Sequence, residues 1–119
     1  MQPFANLRIL DFTTLLPGPF ATMYFADWGA EVLRIEAPDR EDLSRKTPPF
    51  ANGTSTTHAF LNRSKKSLSL DLKDPSAVVK VQELVRDYDV VIEQFRPGVM
   101  TKFGLDYESL KKINPRIIY

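Results

Sequence analysis

Near its N-terminus the chain contains two apolar segments separated by a short helical pattern. Leu7–Phe12 reads LRILDF and predicts a buried strand. The loop Thr13–Pro19 is stiffened by proline, Pro19 suits the first position of a helix, and Phe20–Trp28 continues that helix with apolar residues at helical spacing. Ala30–Ile35, rich in valine, leucine and isoleucine, predicts a second strand. A strand, a helix and a strand within fewer than 30 residues favour two parallel strands joined by a right-handed crossover.

The C-terminal half of the chain continues this alternation of strands and helices. Leu68, Leu70 and Leu72 share one face of an alternating segment, which predicts a half-buried strand. Asp74 suits the cap of a helix with Pro75 at its first position. The predicted elements are the strand Ser67–Leu72, a helix with Ala77, Val78, Val81, Leu84 and Val85 on one face, the strand Asp89–Phe95, the short helices Val99–Phe103 and Tyr107–Ile113, and the opening of a strand at Ile117–Tyr119. The whole pattern predicts an α/β protein.

A long polar segment, Glu36–Thr57, separates the two regions. It is rich in proline, aspartate, asparagine, threonine and glycine. Loops of this length are usually functional lids or disordered segments, and we expect one of the two here. Phe60–Lys66 is expected to be a short lead-in to the next strand.

Composition excludes several kinds of function. The length of 119 residues allows one domain, and 16 Lys+Arg against 15 Asp+Glu argue against a nucleic-acid clamp. The absence of cysteine excludes a disulfide scaffold, a thiolate nucleophile and cysteine-ligated metal. No apolar run is long enough to span a membrane, and the start of the chain lacks the pattern of a signal or transit peptide. We therefore expect a cytoplasmic protein without membrane or nucleic-acid partners.

His58 is the single histidine of the chain, so multi-histidine metal sites are excluded. Ser55 lies near it, but no GxSxG sequence surrounds a serine, and we expect a surface histidine without a catalytic role. The carboxylates that show no pairing pattern in the sequence are Asp11, Asp27, Glu31 and Glu36.

Ligands of open α/β sheets bind beyond the carboxyl ends of the strands, and three loop junctions there carry candidate residues. The first is Leu15–Pro19, LLPGP, where the N-terminus of a helix favours an anion. Its prolines remove two N–H donors, so a rigid turn without a ligand is the alternative. The second is Leu70–Lys73, with Lys65 and Lys66 just upstream. These lysines suit phosphate groups, or alternatively a solvated edge protected from aggregation.

A third junction, Gln94–Gly98, follows the strand Asp89–Phe95. An amide, the Phe95 ring and the cations Arg96 and Lys102 gather there. Such a set suits a nucleotide, with stacking on the ring and phosphate pairing to the cations. In the alternative, the ring belongs to the core and the cations are solvated.

Four blocks of the sequence resemble the class III CoA-transferases (CaiB/BaiF-like), the family that also contains α-methylacyl-CoA racemases. The resemblance covers Leu7 to Tyr119. The four blocks occur in the family's order and at familiar spacing: LRILDFTTLLPGPFATMYFADWGAEVLRIEAP, NRSKKSLSLDLKDP, DVVIEQFRPGVMTKFGLDYESL and NPRIIY.

The resemblance implies a Rossmann-like large domain with a mostly parallel sheet and flanking helices, incomplete in this chain. Family members are several times longer and build that domain from both ends of the chain. They add a smaller domain and form an interlocked homodimer. Residues 1–119 are thus expected to be the N-terminal portion of the large domain, truncated within the strand that opens at Ile117.

The resemblance also implies a coenzyme A (CoA) site. At the position of Ala37 several family members have an arginine near the adenine, and alanine lacks the side chain for that contact. At Lys102 lysine keeps the charge of a phosphate-binding position but loses the fork geometry of arginine. The positions that match the family's CoA contacts are Leu16, Pro17, Ala37, Leu70, Asp71, Leu72, Lys73, Gln94, Phe95, Arg96 and Lys102.

The family transfers CoA from an acyl-CoA to a carboxylic acid through an aspartyl-CoA thioester and uses no metal. The nucleophilic aspartate lies beyond Tyr119 in the family, so this chain is expected to be inactive alone. The long segment Asp39–Leu61 resembles the transferases, whereas FRPGVM resembles both transferases and racemases. The alternatives are a racemase fragment, a CoA- or nucleotide-binding module without chemistry, and a truncated product that does not fold stably.

Overall fold

The computed structural model describes residues 1–119 and contains six strands and five α-helices. A 3₁₀ turn also spans Leu43–Lys46. The elements in chain order are β1 (Arg8–Asp11), α1 (Pro17–Asp27), β2 (Glu31–Glu36), β3 (Phe50–Ala51), β4 (Thr54–Ser55), α2 (Thr56–Leu61), β5 (Lys66–Ser69), α3 (Pro75–Val85), β6 (Val90–Ile92), α4 (Val99–Phe103) and α5 (Tyr107–Leu110). None of the helices has the length and hydropathy needed to cross a bilayer.

The main sheet has four parallel strands in the order β5-β2-β1-β6. Ile9 at the centre of β1 pairs with Val32 on one side and with Val90 on the other. The predicted parallel crossover from β1 to β2 is therefore confirmed. Ile118 forms a parallel bridge to Val90, as expected for the opening of a further strand.

The two faces of the sheet are packed differently. One face is covered by α3, α4 and α5, and 13 buried residues form its core. Val81 and Val85 of α3 are fully buried there, as the helical periodicity predicted, together with Leu10 of β1. The other face carries α1 and α2 and a smaller core that consists of Ile9, Ala26, Ala30 and Val32.

Helix α1 begins two residues earlier than predicted, at Pro17 instead of Pro19. The backbone N–H of Phe20 donates to the carbonyl of Leu16 at 2.9 Å, which places Pro17 and Pro19 in the first helical turn. The first four N–H groups of a helix have no partner within it, so both prolines are tolerated there.

Strand β5 differs from its prediction in both position and burial. It spans Lys66–Ser69, and all four residues are exposed, Leu68 included. Leu70 lies beyond its end and is buried, while Leu72 is only partly buried. Because β5 is an edge strand paired with β2 alone, its alternating pattern does not ensure that a helix covers it.

The predicted long loop Glu36–Thr57 contains regular structure, so the alternative of a disordered segment is wrong. It includes the 3₁₀ turn, the hairpin of β3 and β4, and the start of α2. Asp42 accepts a hydrogen bond from the backbone N–H of Ser44 at 2.9 Å and caps the turn. Ser55 caps α2 by accepting from the N–H of His58 at 3.3 Å. Two caps at helix starts thus order a segment whose composition is typical of loops.

Truncation of the buried leucine at the centre of the sheet tests this packing. We expect Leu10→Ala to lower the free energy of unfolding by about 2–5 kcal/mol, because it removes buried methyl groups and leaves a cavity. Urea denaturation followed by circular dichroism measures the loss. The control is Leu68→Ala on the exposed edge strand, which should change the stability by less than about 1 kcal/mol. Equal losses in both variants would contradict the assignment of the core.

Candidate functional site

The carboxyl ends of the four parallel strands meet at one edge of the sheet. Strands β2 and β5 follow β1 in the chain and lie on one side of it in the sheet. Strand β6 lies on the other side of β1. The loops after β1 and β6 therefore leave their strands in opposite directions and open a crevice between them, which is the place where open α/β sheets bind ligands. The side-chain amide of Gln94 spans this crevice and donates to the Thr14 hydroxyl at 3.0 Å.

The loop after β1 presents apolar side chains at the crevice. Leu15 has a φ of 65°, a left-handed conformation that is unusual for leucine. Leu16 follows with 59% of its surface exposed, and Pro17 is also exposed. The buried Asp11 carboxylate anchors the start of the loop by accepting from the N–H of Thr13 at 2.8 Å. The loop can therefore offer an apolar contact from a fixed position.

The loop after β6 presents polar and charged side chains on the other side. Gln94 and Arg96 are exposed, whereas Phe95 is partly buried and packs against the larger core. The strand stops short of its predicted end because the Glu93 carboxylate accepts the N–H of Phe95 at 2.7 Å and turns the chain. Neither Arg96 nor Lys102 has an acidic partner within 4 Å among the ten ion pairs of the structure, so both cations are available to an anion.

The remaining predicted residues lie at the other end of the same edge, after β2 and β5. Ala37 borders a cavity of about 330 Å³, which is also lined by Glu36, Pro38, Glu41, Arg45, Ser67 and Ser69. Lys73 is ion-paired with Asp39 at 2.8 Å, and this hydrogen bond raises the pKa of Lys73. The Asp71 carboxylate accepts the N–H of Lys73 at 3.0 Å, and the buried side chain of Leu70 belongs to the core.

The predicted residues thus form two groups separated by the width of the sheet. Strands β5 and β6 are three inter-strand spacings apart, or about 15 Å. A ligand that contacts both groups must be extended. A larger cavity of about 600 Å³ lies at the opposite edge, near Arg86 and Asn114, and none of the predicted site residues lines it.

A buried network of charged side chains lies under the second group. Arg34 of β2 is 2% exposed and donates to Glu36 at 3.0 Å and to Asp42 at 2.8 Å. Glu36 also accepts from Arg45 at 2.8 Å. Burial opposes ionisation of Asp42, but hydrogen bonds from Ser44 and Leu15 and the charge of Arg34 hold the pKa of Asp42 below its usual value. The sequence analysis missed this network because its members carry no recognisable spacing.

Lys65 and Lys66, which the second junction suggested as phosphate ligands, both have partners within the protein. The Lys65 side chain is 1% exposed and lies 3.7 Å from Asp11, while its ammonium donates to Thr22 at 2.7 Å. Burial lowers the pKa of Lys65 to about 8. Lys66 pairs with Glu31 at 2.8 Å. Both amines are engaged by side chains that lie more than 30 residues away in the sequence.

His58 is buried, so the prediction of a surface histidine is wrong. Its Nδ1 lies 2.8 Å from the Ser44 hydroxyl, not near the Ser55 hydroxyl that caps its helix. Burial and the nearby charges of Arg45 and Arg34 lower the pKa of His58. The four carboxylates without an evident pattern also have partners: Asp11 binds Thr13, Thr22 and Lys65, Asp27 binds Arg63, Glu31 binds Arg8 and Lys66, and Glu36 binds Arg34 and Arg45.

No group of three or more His, Cys, Asp or Glu side chains is arranged to hold a metal ion. What the residues at the carboxyl edge offer a ligand is apolar contacts, amide and backbone hydrogen bonds, and cations without acidic partners. That combination suits an elongated ligand with both apolar and phosphate-bearing parts.

Comparison with known proteins identifies the family of the chain. The profile of CoA-transferase family III matches residues 4–119, and the chain belongs to this family. It is 47% identical to the succinyl-CoA:glutarate CoA-transferase of Mus musculus over its full length, which covers 28% of the mouse protein. It is 44% identical to the acetyl-CoA:oxalate CoA-transferase of Acetobacter aceti, with 98% of this chain and 30% of that protein covered. The chain thus spans about a third of the length of these relatives.

Solved structures support the same assignment. A hypothetical protein of Mycobacterium tuberculosis superimposes with a TM-score of 0.89 at 40% identity, over 100% of this chain and 33% of the other. A CaiB/BaiF family protein from Brucella suis gives a TM-score of 0.91 at 36% identity, over 99% of this chain and 32% of the other. The predicted parallel α/β sheet with flanking helices is therefore confirmed as part of that fold.

The buried histidine makes stability depend on pH. Because the pKa of His58 is lower in the folded protein than its ordinary value of 6.5, the unfolded chain binds more protons below that pH. We expect the free energy of unfolding to fall as the pH decreases through about 6.5. His58→Asn should remove this slope, as measured by urea denaturation between about pH 5 and pH 7.5. The same slope in wild type and variant would mean that His58 does not titrate differently on folding.

Proposed function

We propose that this chain is the N-terminal portion of the large domain of a CoA-transferase that exchanges CoA between an acyl-CoA and a carboxylic acid. The observation that carries the proposal is the crevice between β1 and β6. It combines exposed apolar side chains on one side with unpaired cations on the other, in a chain that belongs to CoA-transferase family III.

CoA has the chemistry that this edge requires. In CoA the adenosine and the long, largely apolar pantetheine arm lie on either side of the phosphates, and both suit contact with Leu16 and Pro17. Its phosphates suit Arg96 and Lys102, of which Arg96 offers the planar fork for a bidentate contact. The adenine end reaches the cavity beside Ala37, where the backbone of Leu70–Lys73 lies close by. The adenosine and the phosphates of CoA together can cover the width of about 15 Å that separates the two groups.

The chemical step requires a carboxylate nucleophile from outside these residues. In the proposed reaction an aspartate attacks the acyl thioester, expels the CoA thiolate and forms a mixed anhydride. The thiolate then attacks the aspartyl carbonyl, which releases the donor's carboxylate and leaves an aspartyl-CoA thioester. The acceptor carboxylate attacks this thioester in the same two-stage manner, and the aspartate is regenerated.

The buried carboxylates of this chain are unsuited to that role. Asp11 and Asp42 are fully buried and are held by hydrogen bonds within the protein. We therefore infer that the 119 residues bind CoA but do not transfer it. The remaining two thirds of the length of the relatives would supply the nucleophile, the smaller domain and the second subunit of an interlocked dimer.

The names of the relatives favour a transferase over a racemase and a small dicarboxylic acid as the acceptor. Glutarate and oxalate occur in the names of the mouse and Acetobacter enzymes, and both are short dicarboxylates. The ordered segment with the hairpin of β3 and β4 lies where the transferases differ from the racemases.

CoA binding to the chain tests the assigned contacts. We expect isothermal titration calorimetry to detect CoA binding, and Arg96→Ala to weaken it about tenfold, because a charge-assisted hydrogen bond to phosphate is lost. The matched control is Arg86→Ala, an exposed arginine near the opposite edge. Equal affinities for wild type and Arg96→Ala would contradict the phosphate assignment.

A chimaera tests the activity. The chain replaces the corresponding 120 residues of the mouse enzyme, to which it is 47% identical. We expect CoA transfer from succinyl-CoA to glutarate by the chimaera and none by the chain alone, as measured by chromatography of the CoA esters. A folded chimaera that binds CoA but transfers none, or transfer by the isolated chain, would contradict the proposal.

A further inference from the structure

We propose that Asp42 is a positioning residue for CoA: it holds the loop after β1 in the conformation that presents Leu16 and Pro17 to the ligand. This inference rests on the proposed function. It concerns a residue outside the predicted contacts, in the segment that the sequence suggested to be a lid or disordered.

The Asp42 carboxylate connects the sheet to the loop. Its Oδ1 accepts from the backbone N–H of Leu15 at 3.3 Å and from that of Ser44 at 2.9 Å. Its Oδ2 accepts from the guanidinium of Arg34 at 2.8 Å. The Asp42 side chain is 0% exposed and that of Arg34 is 2% exposed, so the bonds to Arg34 and Ser44 are buried, and the bond to Leu15 is partly buried. Since Arg34 belongs to β2, the carboxylate is fixed to the sheet.

The loop needs such an external partner at Leu15. The φ of Leu15 is 65°, in the left-handed region that costs a leucine free energy. Leu16 is the N-cap of α1 and makes no side-chain capping hydrogen bond. Both leucine side chains are largely exposed, so packing does not hold them in place. Without the bond to Asp42, Leu15 would relax towards an ordinary conformation and change the direction of the next two residues.

Neighbouring contacts do not replace this bond. Asp11 holds the N–H of Thr13, and Gln94 holds the hydroxyl of Thr14, so each acts before Leu15. Asp42 also follows Ala37 by only five residues in the chain and shares Arg34 with Glu36, which lines the cavity beside Ala37. The same carboxylate therefore links the two groups of the candidate site, and its loss should affect the whole extended ligand.

The test measures CoA affinity and loop conformation in the 119-residue chain. We expect Asp42→Ala to weaken CoA binding roughly tenfold in isothermal titration calorimetry, which is the loss of one hydrogen bond in the positioned loop. Adding Leu15→Asn should restore the affinity to within about threefold, because asparagine accepts the left-handed conformation much better than leucine does. If Asp42 only stabilised the fold, adding Leu15→Asn would not restore the CoA affinity.

Hydrogen exchange followed by NMR gives a readout that needs no CoA. In the free chain, Asp42→Ala should speed exchange of the Leu15 amide at least about tenfold and leave the Thr13 amide unchanged. The control Asp27→Ala breaks a surface ion pair of 2.6 Å with Arg63 and should change neither the affinity nor the exchange of Leu15.

Removing Asp42 leaves the buried Arg34 with one partner fewer and can prevent folding. In that case we use the double variant Arg34→Met with Asp42→Ala, which removes both buried charges. Its CoA affinity is compared with that of the single variant Arg34→Met. An unchanged affinity in the folded Asp42 variant, or no recovery with Leu15→Asn, overturns the positioning role. A wild-type chain that does not bind CoA overturns the proposed function, and the exchange of the Leu15 amide then decides whether Asp42 holds the loop.

Discussion

The buried guanidinium of Arg34 is the constraint on which the arrangement of the carboxyl edge depends. Arg34 lies within β2 with 2% of its side chain exposed, and a charge in that position must find partners inside the protein. Glu36 and Asp42 provide them at 3.0 and 2.8 Å. Because Asp42 follows β2, pairing this charge requires the following segment to fold back over the sheet. The segment brings Ser44 and His58 with it, and their contact is buried in turn.

The two faces of the sheet therefore have different roles. The face under α3, α4 and α5 is a continuous apolar core, which supplies most of the buried apolar surface. The face under α1 and α2 combines a small apolar core with buried ion pairs, which contribute less to stability than to fixing one arrangement of the loops. Since the strands are parallel, their carboxyl ends share one edge of the sheet. Leu16 and Arg96 are exposed there on neighbouring loops.

Local sequence signals predicted the regular elements where local physics governs them. Helix α4 has the predicted bounds, because Gly98 and Gly104 flank it in left-handed conformations. Strands β1 and β2 lie within one residue of their predicted ends. The predictions failed where a distant group decides the outcome. The N–H of Phe95 is taken by Glu93, which shortens β6, and β5 lacks a second neighbour that would bury Leu68.

The sequence by itself determined the parallel α/β sheet, since hydrophobic periodicity and turn residues act over a few positions, and four of its blocks predicted the family. Only the tertiary structure decided which side chains at that edge are free. Lys65 and Lys73 have acidic partners, whereas Arg96 and Lys102 have none. It also revealed Asp42 as the link to the strained Leu15. Such pairings depend on the distance between atoms far apart in the chain, and no local pattern of residue types encodes that distance.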